Sequence, residues 1–262
     1  MIPRQMTEVD IAKQMKMKVF GKKVIHLDTA ESTNSYAASI LSNGIDEGTV
    51  VIADEQTAGR GRAGRVWTSE KGKNLTFSII LNPKVPPASI GVISLYAALG
   101  VAEAVRDITG MPADCKWPND VLMGGRKLCG ILSDASIEGG TLTSVVVGIG
   151  LNVNQTDFPP EIRPAPTSLR LAAGKWFDRV SVLSSVLERL ESRYADLQSQ
   201  RFDVIIKAWE NMAPMMGSEI KIATHDGGLA GVARGIAEDG GLIVRTNGTD
   251  RKVLAGDITV TS

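Results

Sequence analysis

The chain has 262 residues, 43% of them apolar, with 29 basic and 29 acidic side chains. That length suits one large domain, or one large and one small, with a sizeable core. The charge balance argues against a nonspecific nucleic-acid binder, which carries a basic excess.

The first twenty residues, MIPRQMTEVDIAKQMKMKVF, lack the apolar centre of a signal peptide. Residues 9–18 read as a short basic helix. No apolar run is expected to reach the roughly 20 residues that cross a bilayer. A soluble, cytoplasmic protein is therefore expected. Residues 23–28 read as a first strand, followed by N-capping Ser32 and Thr33 and a helix over 34–42 that stops at Asn43-Gly44. Residues 49–54 and 74–81 read as strands, the second ended by Asn82-Pro83.

Residues 88–109 place Ile90, Ile93, Ala97, Val101 and Val105 at helical spacing, which predicts a long core helix. Strands at 127–137 and 141–152 meet at Glu138-Gly139-Gly140, a hairpin signal. A Pro-rich loop spans 156–166, and one or two amphipathic helices span 178–212. From 218 to 260, short strands are broken by Asp226-Gly227-Gly228, Asp239-Gly240-Gly241 and Asn247-Gly248, which predicts a small β-barrel. Cys115 and Cys129 sit in no CxxC or Cys/His pattern, so reduced thiols are expected rather than zinc ligands.

Four segments carry chemistry. The first is GRGRAGRVW (59–67), where three glycines free the backbone and three arginines alternate with them. Guanidinium forks match carboxylate and phosphate oxygens two at a time, so the segment suits a flexible anion clamp. A solvated surface loop or an RNA-binding arginine-glycine tract would share that composition. It is neither a Walker loop nor a Rossmann turn.

The second is KWPND (116–120), where Lys, Asn and Asp crowd a Trp-Pro bend. Lysine suits phosphate there, and the Asn and Asp oxygens suit magnesium; an ordinary turn over a buried tryptophan is the alternative. The third is RKLCGIL (126–132), which holds Lys127 at a strand edge, as a site residue or a surface lysine. The fourth is GIGLNVN (148–154), where glycines thin a strand for a ligand, or simply end it, and Asn152 offers donor and acceptor. His26 and His225 have no supporting signature for a Ser-His-Asp triad.

In this order, together with Ser32-Thr33-Asn34 and Gln56, these motifs resemble the biotin–protein ligase family from about residue 20 to the end. The resemblance implies an α+β fold: a mixed-sheet catalytic domain related to class II aminoacyl-tRNA synthetases, then a small C-terminal SH3-like β-barrel. The division expected is 1–213 and 214–262. It implies that the chain activates biotin with ATP to biotinyl-5′-AMP and pyrophosphate. Biotin then passes to a lysine of a biotin carboxyl carrier protein or domain.

By the same resemblance, biotin contacts fall to Ser32, Thr33, Asn34, Gln56, Gly59, Arg60, Lys127 and Gly130. Nucleotide and adenylate contacts fall to Arg60, Arg62, Arg65, Trp67, Lys116, Asn119, Lys127 and Asn152. Lys127, Arg62 and Asp120 would act in the chemistry, with Mg²⁺ near Asn119 and Asp120. Only about 20 residues precede the first strand, too few for the family's N-terminal helix-turn-helix, so the form without it is expected, with no specific DNA binding. A homodimer is the oligomer the resemblance suggests. Lipoate–protein ligases are the nearest rival on the same fold; their substrate has no ureido ring, and the arginine loop and C-terminal barrel favour biotin. A non-enzymatic regulator that binds biotinyl-adenylate or nucleic acid is the rival of another class, and the charge balance and short N-terminus weigh against it.

Overall fold

A computed structural model describes residues 6–14, 17–224 and 227–261. His225 and Asp226 lie outside the described residues. The first helix, α1 (Glu8–Gln14), ends earlier than the predicted 9–18, and Met17 and Lys18 are not helical. Strand β1 (Val24–Leu27) leads to α2 (Thr33–Ile40), capped by Ser32, whose hydroxyl accepts from the Ser35 amide. A 3-10 turn over Leu41–Asn43 ends at left-handed Gly44, so α2 is shorter than expected.

Strands β2 (Val50–Ala53) and β3 (Leu75–Leu81) are buried along their whole length, which is why neither alternates in polarity. The long helix is α3 (Ile90–Thr109). Two short strands that the sequence reading did not foresee follow: β4 (Asp114–Lys116) and β5 (Asp120–Met123). Then come β6 (Arg126–Glu138) and β7 (Thr141–Leu151). Their two-residue turn puts Gly139 and Gly140 at φ 54° and 79°, which favours glycine at both places. A five-residue helix α4 (Leu169–Ala173), also unforeseen, precedes α5 (Arg179–Gln198) and α6 (Phe202–Glu210).

Strands β1 to β7 form one mixed sheet in the order β1-β2-β3-β7-β6-β5-β4. Only the β1–β2 pair is parallel. On one face, Leu75, Phe77, Ile79 and Leu81 join Val145, Val147, Ile149 and Leu151 in a core with α3, α5 and α6. On the other, Ile80 and Val146 pack with Ala37 of α2 and Val51. The period of two then fixes which residues share this second face. Ladder partners run Asp134–Val146–Ile80, Leu132–Gly148–Ser78 and Gly130–Gly150–Thr76. Beyond Ile80 and Val146 this face carries Leu132 among polar residues and glycines, and the main cavity opens here.

Helix α3 corrects one expectation. Pro87–Thr109 is long and apolar enough by composition to cross a membrane, but 72% of its most apolar window is buried inside the protein. Its apolar residues are spent on the core.

The C-terminal strands are β8 (Glu219–Thr224), β9 (Gly227–Ile236), β10 (Leu242–Thr246), β11 (Thr249–Val253) and β12 (Asp257–Val260). They form a five-stranded antiparallel sheet in the order β11-β10-β9-β8-β12. Trp117, 1% exposed, donates its indole N–H to the Gly240 carbonyl at 3.0 Å. The tryptophan of KWPND thus pins the β4–β5 turn to this sheet. The turn contains a cis Trp117–Pro118 peptide.

Candidate active site

The cavity on the α2 face holds about 1040 Å³ and draws its walls from both sheets, including Ile258 and Val260 of β12. Every expected site residue except Gly59 lines it: Ser32, Thr33, Asn34, Gln56, Arg60, Arg62, Arg65, Trp67, Lys116, Asn119, Asp120, Lys127, Gly130 and Asn152. Gly59 is buried at its margin. A Cβ there would lie 2.3 Å from the Trp67 carbonyl oxygen, so only glycine lets the two strands of the arginine loop close.

One end of the cavity is a chain of neutral hydrogen bonds. The Thr33 amide and hydroxyl both donate to Gln56 Oε1, at 2.8 and 3.1 Å. Ser78 Oγ, not foreseen from sequence, lies 2.7 Å from Thr33 Oγ1 and 2.6 Å from Asn34 Oδ1. Both protons of the Asn34 amide are used, on the Leu132 carbonyl at 3.2 Å and on Asp134 Oδ2 at 3.0 Å. Asn34 therefore lines the cavity while spending its donors inside the protein. An uncharged group with hydrogen-bonding edges suits this end.

The other end is charged. Lys127 Nζ stands 2.7 Å from Asp120 Oδ1 and 5.8 Å from the centre of the Trp67 ring. The backbone of Lys127 is held on both sides, donating to Ala165 O at 2.9 Å and accepting from Thr167 N at 2.8 Å. The Trp67 ring lies on the thinned strands: a Cβ on Gly150 would meet its Cε2 at 2.4 Å, and one on Gly130 its Cζ3 at 3.1 Å. A Cβ on Gly148 would lie 2.1 Å from Asn34 Oδ1. The glycines expected to receive a ligand directly instead receive Trp67 and Asn34, which in turn face the cavity.

The loop 59–67 is a closed hairpin rather than open coil. Gly61 N donates to Arg65 O at 2.7 Å and Trp67 N to Gly59 O at 2.9 Å, around Ala63 and Gly64 at φ 53° and 72°. Its arginines reach three different elements. Arg60 pairs with Asp134 of β6 at 3.1 Å, Arg62 donates to Asn119 Oδ1 at 3.1 Å, and Arg65 reaches both Asp257 oxygens of β12 at 2.7 and 2.8 Å. Asp134 and Asp257 were not visible as site residues in the sequence. Burial depresses the pKa of Arg62 and of Lys116, Asp120 partly opposing it for Lys116. The cavity thus concentrates positive charge that is only partly solvated, a setting for oxyanions.

Among the described residues, three buried polar atoms of this cavity lack a hydrogen-bond partner: Asp120 Oδ1, which has the Lys127 ammonium 2.7 Å away, and Trp67 Nε1 and Asn152 Oδ1, which are in no ion pair. Asn152 spends its amide on the Thr167 carbonyl at 2.9 Å. A buried unpaired donor or acceptor costs about 1–3 kcal/mol, so a ligand that pairs with them gains by it.

Asn119 and Asp120, the residues expected near Mg²⁺, both line the cavity. Each already faces a cation, Arg62 and Lys127, and no group of three His, Cys, Asp or Glu side chains converges among the described residues. Cys115 and Cys129 are buried free thiols whose pKa values burial pushes up, so neither is a nucleophile. His26 lies outside the cavity, 3.3 Å from Asp54 Oδ2.

Comparison with known proteins agrees with this arrangement. Residues 27–152 match the biotin/lipoate A/B protein ligase family, and residues 216–260 match the biotin protein ligase C terminal domain. The chain is 38% identical over 258 residues to the bifunctional ligase/repressor BirA of Bacillus subtilis, spanning 98% of this chain and 79% of that relative. It is 34% identical over 252 residues to the biotin--[acetyl-CoA-carboxylase] ligase of Mycobacterium tuberculosis, spanning 88% of each. The biotin protein ligase from Aquifex aeolicus in complex with biotin and ATP superposes with a TM-score of 0.80 at 33% identity, covering 92% of this chain and 100% of that one. The chain belongs to the biotin protein ligase family.

Proposed function

We propose that this chain activates biotin with ATP and transfers it to a lysine of a biotin carboxyl carrier protein or domain. The observation that carries the reading is the polarity of one cavity. A neutral hydrogen-bonding end at Thr33 and Gln56 faces a cationic end at Lys127, Lys116 and Arg62, with Trp67 between. Biotin has that division: an uncharged ureido ring, an apolar chain and a carboxylate.

In the first step a biotin carboxylate oxygen attacks the α-phosphorus of ATP. The bond from that phosphorus to the bridging oxygen breaks, and pyrophosphate leaves. Lys127 meets the developing charge, held in place by Asp120 and by its backbone bonds to residues 165 and 167. Arg62 and Lys116 neutralise the phosphates, and Mg²⁺ enters with the nucleotide as substrate. Trp67 and Asn152 receive the adenylate through their unpaired atoms. In the second step the neutral amine of a carrier lysine attacks the acyl carbon and AMP departs as the lysine loses a proton. Positioning and charge stabilisation supply the catalysis, and the arginine hairpin excludes water from the anhydride.

The finer reading is of residues 1–213 as a catalytic domain akin to class II aminoacyl-tRNA synthetases, and 214–262 as an SH3-like domain, working as a cytoplasmic enzyme, with a homodimer as the expected assembly. The five antiparallel strands and the pocket residues on β12 support the second domain's place beside the site. The test supplies ATP with biotin or with lipoate, follows pyrophosphate, and examines a carrier domain by mass spectrometry. Release with biotin and a biotinylated carrier are expected; release with lipoate alone overturns the reading.

A further inference from the structure

Asp134 is absent from the sequence motifs and does not line the cavity, yet one of its oxygens joins the cavity's two halves. Asp134 Oδ2 accepts from Asn34 Nδ2 at 3.0 Å and from Arg60 Nη1 at 3.1 Å. Asn34 is 3% exposed, so its amide has no water to turn to. Its Oδ1 occupies the space that a Gly148 side chain would fill and contacts Ser78 Oγ, which contacts Thr33, which is bound to Gln56. The orientation of Asn34 therefore sets the neutral end of the cavity. Through the same carboxylate oxygen, Arg60 fixes one strand of the arginine hairpin to β6.

We propose that Asp134 is a positioning residue that couples the polar end of the acid pocket to closure of the arginine hairpin; the proposal rests on the ligase reading above. Both partners are charge-assisted or buried bonds to one atom, so weakening it loosens both ends together. Neither bond reaches the reacting atoms, and the chemical step itself is left to Lys127.

Asp134→Ala and Asp134→Asn test this, each measured with biotin, ATP and the full chain. Both variants are expected to raise KM for biotin by about tenfold and to speed release of biotinyl-adenylate by a few-fold, because the Arg60 pair is partly exposed at 49% and 32%, with kcat for pyrophosphate release within about threefold of wild type. In the double variant with Arg60→Ala, the effects on adenylate release fall short of additive. A melting curve checks each variant, and where Asp134→Ala does not fold, the equally shaped Asp134→Asn decides. Wild-type adenylate retention in the folded variants, a loss confined to kcat, or effects that add with those of Arg60→Ala overturn the coupling alone. A wild-type chain that forms no biotinyl-adenylate overturns the ligase reading, and this inference with it.

Discussion

The Lys127 ammonium and the Asp120 carboxylate meet at 2.7 Å across neighbouring strands, their side chains 19% and 15% exposed. Asp120 lies opposite Gly130 in the ladder, and a register shift between Val121 and Leu122 brings Lys127 opposite Leu122. The lysine therefore reaches back along β5 and over the indole of Trp67 to find its partner. A charge this enclosed is costly without a counter-ion, and Asp120 supplies one until the anionic substrates arrive.

Lys127→Ala is expected to cut adenylate formation by about 10² or more, the scale of removing one preorganised charge from a transition state. It leaves Asp120 unpaired, so a stability loss of about 1–3 kcal/mol accompanies it while the fold survives. Pyrophosphate release and thermal melting measure the two effects separately. Full activity in the variant removes Lys127 from the centre of the mechanism.

Gly150→Ala addresses the seat of Trp67. The new methyl would meet Cε2, Cζ2 and Nε1 of the indole at 2.4 to 2.7 Å, and the ring must lift. Overpacking of this kind costs about 1–3 kcal/mol. The expected signature is a changed tryptophan emission spectrum and a raised KM for ATP, with biotin binding by calorimetry little altered. An unchanged KM for ATP would separate Trp67 from the nucleotide.

These relations show how far the sequence could be read. The GRGRAGRVW, KWPND and RKLCGIL segments announce their chemistry locally, because glycine frees the backbone, proline fixes it, and arginine and lysine carry their charge wherever they stand. The long helices follow from their periodicity, and β2 and β3 from continuous runs of β-branched and apolar residues that do not alternate. Asp134 and Asp257 gave no such signal: each is an isolated carboxylate whose partner is 74 or 192 residues away. Ser78 looked like one more position in a buried strand, and only the pairing of β3 with β7 turns it toward Asn34. Strands β4 and β5 and helix α4, of three to five residues, are too short for periodicity to register.

Lys116 gives a test by pH. Its folded-state pKa lies below the ordinary lysine value because burial disfavours its charge, with Asp120 opposing. At neutral pH the charged form is thus held at a cost to stability. As pH rises through the folded pKa toward the unfolded one, the unfolded chain binds more protons and the cost is relieved. Lys116→Met is therefore expected to melt higher than wild type near neutrality, with the gap narrowing in alkaline buffer, and to bind ATP more weakly. A variant that melts lower across the whole range would contradict the assigned cause.

Arg62→Gly removes the bond to Asn119 and adds chain freedom at the tip of the hairpin. Adenylate is expected to form and then leak, reading out as label transferred to bulk lysines in mixed protein. Retention equal to wild type in both Arg62→Gly and Arg60→Gly would count against the hairpin as a closure.

The Arg65–Asp257 contact isolates what the C-terminal sheet contributes. Both side chains are half exposed, at 51% and 60%, and an ion pair so placed is worth about 1 kcal/mol or less. Asp257→Ala should therefore barely move the melting temperature. Its consequence is positional: Arg65 N–H donates to Arg62 O at 3.1 Å within the hairpin, so releasing Arg65 from β12 frees the tip that carries Arg62. Adenylate release is expected to quicken by a few-fold at low salt, about 1 kcal/mol or less in free energy. Raising the salt should bring wild type toward the variant, because screening weakens the wild-type pair and leaves the variant nothing to lose. Release rates that differ equally at low and high salt would mean that Asp257 acts through packing and not through Arg65.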